Sequence, residues 1–441
     1  MRFAPHTTDD TVEMLRRIGV PDLDALFDQI PRGVRLDRPL DLLDGVSELE
    51  IVRDASALAA RNRSAEDLVC FAGGQVYDHY IPSVVKALAS RSEFATSYTP
   101  YQFELAQGVL QVLFEFQSMV CALTELEVSN ASLYDGATAL VEAANIVSSK
   151  ERSRVVVTGG VDARMVQTLR TSTIPTGHEI DVHPLTHAGG SDEPELGDDV
   201  AAVIVQHPNR FGILEPVRAL AEGAHAAGAA LIQVFDPLSL GVLAPPGALG
   251  ADVAVAEGQP LGNDLHYGGP YLGLIATRMT HVRRMPGRIV GETVDRDGHP
   301  GYVLTLQARE QHIRRERANS NICTNQTLMA IAATVYMAWL GPEGLVELGA
   351  QCASRAAYAA DALTAIDGVE LRFPDAPFFK EFALRLPGDA REVRDALIDH
   401  DFLAGVPAPD LDDRTLVVAV TERRSRSDID GFARALAEVL G

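Results

Sequence analysis

Lysine is almost missing from this chain. It occurs only as Lys86, Lys150 and Lys380 among 441 residues, and arginine carries nearly all of the positive charge. A genome of biased base composition accounts for the scarcity, which still leaves few primary amines for chemistry. Cysteine is sparse too: Cys70, Cys121, Cys323 and Cys352 lie far apart with no CxxC. That spacing suggests neither a zinc site nor a disulfide framework. The histidines show no HxH or HExxH spacing, so no metal is expected. No apolar run approaches 18 residues, so no transmembrane helix is expected. The opening "MRFAPHTTDDTVEML" lacks the layout of a signal peptide, and a cytoplasmic location is expected. The net charge of −23 argues against nucleic acid and anionic membrane surfaces as partners. What is present is a 46% hydrophobic chain, enough for a large core and more than one domain.

"TTDDTVEMLRRIG" predicts a capped amphipathic helix, with Asp10 and Glu13 resembling a capping box. "PDLDALFDQIP" predicts a second short helix. Residues 64–150 read as mostly helical, broken by polar loops at 71–83, 90–104 and 129–137. From 153 onward, "RVVVTGG", "EIDVHPL", "AAVIVQHP", "ALIQVFDP", "ADVAVAEG" and "YLGLIAT" read as strands alternating with helices. That pattern indicates a mainly parallel sheet buried on both faces. "ETVDRDGHPGYVLTL" predicts a hairpin turning at Asp297-Gly298. Helices are expected near 324–340 and 343–366, then a small α+β domain. The expected organisation is a helical segment 1–70, a large α/β domain 71–340 and a small C-terminal domain 341–441.

Several constellations offer chemistry. "NASLYDGATALVEAANIV" is a small-residue loop opening a helix, where free N–H groups suit a phosphate. Gly136 allows close approach and Thr138 adds a hydroxyl. An ordinary helix start capped by Asp135 is the alternative. Asp236 stands at the carboxyl end of a strand, where open α/β sheets bind ligands. A buried carboxylate there suits a protonated ring nitrogen, as in enzymes using pyridoxal phosphate (PLP). By itself, Asp236 reads more simply as a turn Asp before Pro237. The next strand ends in Glu257-Gly258-Gln259-Pro260, where such an enzyme carries its lysine. Glutamine forms no imine, and no lysine is visible at that sheet edge. "SRSEFATSYTPYQFELAQG" is an aromatic polar loop whose phenols suit a small carboxylate. "LQAREQHIRRERANSNICTNQ" reads as a salt-bridged helix face, pairing Glu310 with Arg314 and His312 with Glu316, or as an anion-docking surface.

Together, "YDHYIPSVV", "SRSEF", "YTPYQ", "YDGATALVEAA", "DPLSLG", "EGQPLG", "GGPYLG", "MPGRIVGETVDRDG", "LQAREQHIRRE" and "SNICTNQ" resemble the glycine-cleavage P-protein family. The resemblance is nearer to the subunit 1 (α) branch of its split form, and it spans the whole chain. It implies an aspartate-aminotransferase-like α/β fold, the PLP-dependent transferase fold type I. It implies a chain that works with glycine, with a β subunit that carries PLP in an α2β2 assembly, and with the lipoyl arm of H-protein. Glycine would lose its carboxyl group as CO2, and its aminomethyl group would pass to a lipoyl sulfur. Tyr98, Thr99, Tyr101 and Gln102 would line a site shared with β. Arg309, His312, Asn321 and Cys323 would lie near it or near the lipoyl path. Gly136, Ala137, Thr138, Asp236 and Gln259 would be inherited cofactor geometry without a cofactor of its own. The alternatives are a self-sufficient PLP decarboxylase or aminotransferase, and a non-catalytic scaffold. A nucleotide-binding protein is disfavoured because "VVVTGGVDARMV" lacks GxGxxG.

Overall fold

The computed structural model describes residues 5–36, 38–96 and 99–441. They form two compact units, Met1–Asn62 and Arg63–Gly441. In the first, helix Thr8–Ile18 is capped by Thr7, whose side chain accepts from the Asp10 N–H while Asp10 accepts from the Thr7 N–H. The capping box is therefore Thr7 with Asp10, not Asp10 with Glu13. Glu13 lies inside the helix and pairs with Arg16 at 2.6 Å. The second expected helix is only a single tight turn, Asp24–Phe27. A further helix, Glu48–Ala59, has a Ser47–Glu50 capping box and was not anticipated. Neither long helix buries a residue.

The second unit is built on a seven-stranded sheet. Its strands are β1 (Val128–Ser129), β2 (Arg154–Val157), β3 (Glu179–Val182), β4 (Val200–His207), β5 (Ala230–Phe235), β6 (Val253–Glu257) and β7 (Gly273–Thr277). The order is β1-β7-β6-β5-β4-β2-β3. Pairings β2–β3, β2–β4, β4–β5 and β5–β6 are parallel, while β7 is antiparallel to both its neighbours. Every residue of β4 and β6 is buried. This explains the apolar runs Val200–Val205 and Val253–Ala256 within them, since a sheet covered on both faces has no polar side to show. Helices Gly136–Val147, Ala163–Thr173 and Val217–Ala226 connect strands of this sheet. The hairpin β8 (Ile289–Val294) and β9 (Pro300–Thr305) turns through Gly298 at φ 87°.

The expected salt-bridged helix after the hairpin does not form. The chain breaks into short turns at Gln307–Arg309, Gln311–Arg314 and Arg315–Arg317, with Arg315 at φ 55°. Glu310 is only 6% exposed and faces inward, so it is not the surface partner of Arg314.

Helix Thr327–Thr364 is kinked at Gly341 (φ 64°) before Pro342. It holds an 18-residue window of mean hydropathy 1.3, long and apolar enough to cross a bilayer, which corrects the expectation that no such stretch exists. In the fold, Ala330, Ile331, Ala333 and Tyr336 of this helix are buried in the main core. The C-terminal sheet has strands β10 (Glu370–Leu371), β11 (Glu381–Arg385), β12 (Val406–Pro407) and β13 (Thr415–Ala419), ordered β10-β11-β13-β12. Helices Ala390–Ile398 and Arg426–Leu440 accompany it.

One contact decides the site. Gly212, in the loop after β4, lies at φ 81°, and a Cβ there would stand 1.7 Å from the Glu381 carbonyl oxygen. Only glycine lets the loop come this close. The Phe379 N–H donates to the Gly212 carbonyl at 3.1 Å. This contact delivers Lys380 and Glu381 to the carboxyl edge of the central sheet.

Candidate functional site

Asp236 follows β5 and is 9% exposed. One of its oxygens accepts from the Leu238 N–H at 3.0 Å, as a turn Asp does. The other lies 2.6 Å from the Lys380 ammonium. The sequence reading expects no lysine at the Asp236 edge. The fold corrects this, because the C-terminal strand carries Lys380 there. Its Nζ also lies 3.1 Å from His79 Nε2 and 3.5 Å from the centre of the Tyr77 ring, a cation–π distance. An ammonium only donates, so His79 Nε2 accepts and its Nδ1–H donates to Glu422 at 2.6 Å. Burial and the neighbouring ammonium both push the His79 pKa down, which keeps the ring neutral. Atoms of His79, Cys352 and Glu422 come close enough to hold a metal. The adjacent ammonium and the His79–Glu422 bond make the group a satisfied hydrogen-bond chain instead. Burial pushes the Cys352 thiol up to about 12, which keeps it protonated.

Next to this pair, the Tyr77 hydroxyl donates to Glu381 at 2.7 Å and the Gly74 N–H donates to its other oxygen at 2.8 Å. Burial drives the Glu381 pKa up to about 7 against those bonds. Gln259 is 2% exposed. Its amide accepts from the Tyr77 N–H at 2.9 Å and donates to the carbonyls of Tyr77 and Asn263 at 3.1 and 2.7 Å. The glutamine is thus a clamp between two loops.

At the start of helix Gly136–Val147, Asp135 and Thr138 form the capping box. The Gly136 N–H donates to Glu257 Oε2 at 3.0 Å. Glu257 Oε1 accepts from the N–H groups of Gln259 and Leu272 at 2.9 and 3.1 Å. Burial pushes Glu257 up to about 7, and these three N–H groups resist the rise. A Cβ on Gly136 would stand 2.7 Å from the Glu257 nitrogen, so glycine is needed here for backbone packing. Ala137 is half-buried.

A second cluster surrounds Arg288, which the sequence reading did not single out. Its guanidinium lies 5.1 Å from the Tyr101 ring centre and donates to the Tyr101 hydroxyl at 3.3 Å, the Cys323 carbonyl at 2.9 Å and Asn325 Oδ1 at 2.9 Å. Tyr101 meets His312 edge to face, with ring centres 5.9 Å apart. Arg309 donates to the carbonyls of Met285 and Gly287. Tyr101, His312, Arg309 and Cys323 are thereby brought to one region. Among the described residues, no side-chain hydrogen bond ties Thr99, Gln102 or Asn321 to it. Gln102 and Asn321 are exposed and Thr99 is half-buried. Tyr98 lies outside the described residues. Beside the cluster, a cleft of about 250 Å³ is lined by Arg283, Arg284, Arg309, Arg314 and Arg317. Among the described residues, the buried Nε atoms of Arg288 and Arg309 and one Glu310 oxygen find no partner.

This sheet order, with an Asp at one strand end and a helix N-terminus beside it, defines a fold type I PLP-dependent transferase architecture. Sphingosine-1-phosphate lyase of Burkholderia pseudomallei shares the fold, with a TM-score of 0.65 at 15% identity over 92% of each chain. The chain belongs to the glycine cleavage system P-protein family, whose profile matches residues 1–436. It is 48% identical to the probable glycine dehydrogenase (decarboxylating) subunit 1 of Carboxydothermus hydrogenoformans, over all of this chain and 99% of that protein. A crystal structure of glycine decarboxylase (P-protein) in inhibitor-bound form superposes with a TM-score of 0.93, at 45% identity over the whole of both chains.

PLP requires an amine for its aldehyde, a counter-charge for its ring nitrogen and a cradle for its phosphate. In this chain the strand end carries Gln259, Asp236 is paired with Lys380, and the Gly136 N–H is taken by Glu257. The residues present do not fit the cofactor.

Proposed function

We propose that this chain is the α subunit of a split P-protein. With a β subunit that carries PLP on its own lysine, it decarboxylates glycine. CO2 is released, and the aminomethyl group passes to one sulfur of the lipoyl disulfide on H-protein, which is reduced as its S–S bond opens. The observation that carries this reading is Gln259, an amide clamped by three hydrogen bonds where a self-sufficient enzyme needs its amine. The relatives' designation as subunit 1 points to a second subunit, and α2β2 is the assembly the reading calls for. We assign the chain to the cytoplasm and keep the division into 1–70, 71–340 and 341–441.

The part played by this chain is to complete the partner's site. Tyr98, Thr99, Tyr101 and Gln102 would line it, with Arg309, His312, Asn321 and Cys323 beside it or along the path of the lipoyl arm. The Nε atoms of Arg288 and Arg309, unpartnered among the described residues, support this reading, because a buried donor without an acceptor is costly and rarely left so. The arginine-lined cleft suits a carboxylate-bearing partner. Tyr101→Phe removes the hydroxyl that Arg288 holds and keeps the ring. In a complex reconstituted with the β subunit and lipoylated H-protein, it should lower glycine turnover at least about tenfold. Unchanged turnover for Tyr101→Phe and for His312→Ala would favour the scaffold reading instead.

A further inference from the structure

We propose that Lys380 and Glu257 permanently occupy the ring-nitrogen and phosphate positions of this chain's own pocket, so that PLP is excluded here and the complex carries one cofactor per pair of chains. The inference rests on the α-subunit reading and adds the device that enforces it. A missing lysine removes only the covalent bond to the cofactor. Asp236 and a helix N-terminus would still recruit a cationic ring and a phosphate without it. In this chain both attractions are already answered from within.

The Lys380 ammonium supplies Asp236 with the positive charge that a protonated pyridine would bring, at 2.6 Å. It is 1% exposed and lies against Tyr77, His79 and Asp236. Its backbone is fixed as well, because its carbonyl accepts from the Val420 N–H at 2.8 Å. Leaving the pocket would strand a carboxylate with no cation, and entry of a ring would bury a second positive charge beside the first. At the other end, Glu257 places a carboxylate on the Gly136 N–H that a phosphate would need. A phosphate arriving there meets a donor already in use and an oxygen already in its place.

The test uses the full chain. Gln259→Lys restores the amine and leaves Lys380 in place. After incubation with PLP and borohydride reduction, intact mass and peptide mapping locate any adduct. Wild type and Gln259→Lys should both lack a stoichiometric adduct at the pocket. Thermal unfolding supplies a second reading that does not depend on Gln259→Lys folding. Lys380→Met should lower the midpoint by about 5 °C or more, and Lys380→Met combined with Asp236→Leu should recover most of the loss, because the stranded charge is gone. A stoichiometric adduct on residue 259 of Gln259→Lys would overturn the proposal and leave the partner-held cofactor untouched. A Lys380→Met midpoint equal to wild type would also overturn it. One equivalent of PLP trapped on wild type would overturn both.

Discussion

Glu381 shows how tightly single residues are drawn into the closed pocket. Burial raises its pKa from the ordinary 4.5 to about 7, although the Tyr77 hydroxyl and the Lys380 ammonium favour the ionised form. Between those values the folded chain binds a proton that the unfolded chain has released. Stability contributed by this group is therefore complete below about pH 4.5, falls as pH rises, and is lost above about 7, a change of roughly 3 kcal/mol. Glu257 acts in the same direction. Glu381→Gln should flatten the fall in unfolding midpoint between pH 5 and pH 8 without abolishing it. An unaltered slope would show that Glu381 is already ionised in the folded chain. At this scale Asp236, Gly136 and Gln259 were legible, because strand ends and helix starts mark themselves in sequence. Lys380, His79 and Arg288 were not, because their meaning comes from partners far along the chain. The one available signal was a lysine set between Phe379 and Glu381 in a chain that hardly uses lysine.

Among elements, β2, β4, β5, β6 and β7 were readable as apolar runs, since strands covered on both faces have only one pattern to offer. β1 is a two-residue edge strand and left no such trace. The segment after the hairpin misled for the opposite reason. Its charges recur at helical spacing, but Glu310 points inward and the turn breaks at Arg315. The loop holding Gly212 fixes how the C-terminal strand meets the central sheet. Gly212→Ala combines a left-handed backbone with a Cβ 1.7 Å from a carbonyl oxygen. It should cost about 3 kcal/mol or more in a denaturant titration. The loss should come with weaker binding of the β subunit, because the loop must retreat from β11. A variant as stable as wild type would show that the approach of the two loops is not needed.

For the molecule as a whole, the fold supplies cofactor geometry and then closes it. The carboxyl edge of the sheet ends in an ion pair, an amide clamp and a carboxylate-capped helix. Among the described residues, the arginine cluster around Arg288 keeps unpartnered donors. Under the proposed division of labour, the chemistry falls to the partner and a share of the walls to this chain. The most direct test is to assemble the chain with its β subunit, add PLP, reduce with borohydride and map the adduct in both chains. The account predicts one adduct per pair, on a lysine of the β subunit, with Lys86, Lys150 and Lys380 unmodified. An adduct on Lys380, or an equal load on both chains, would contradict it.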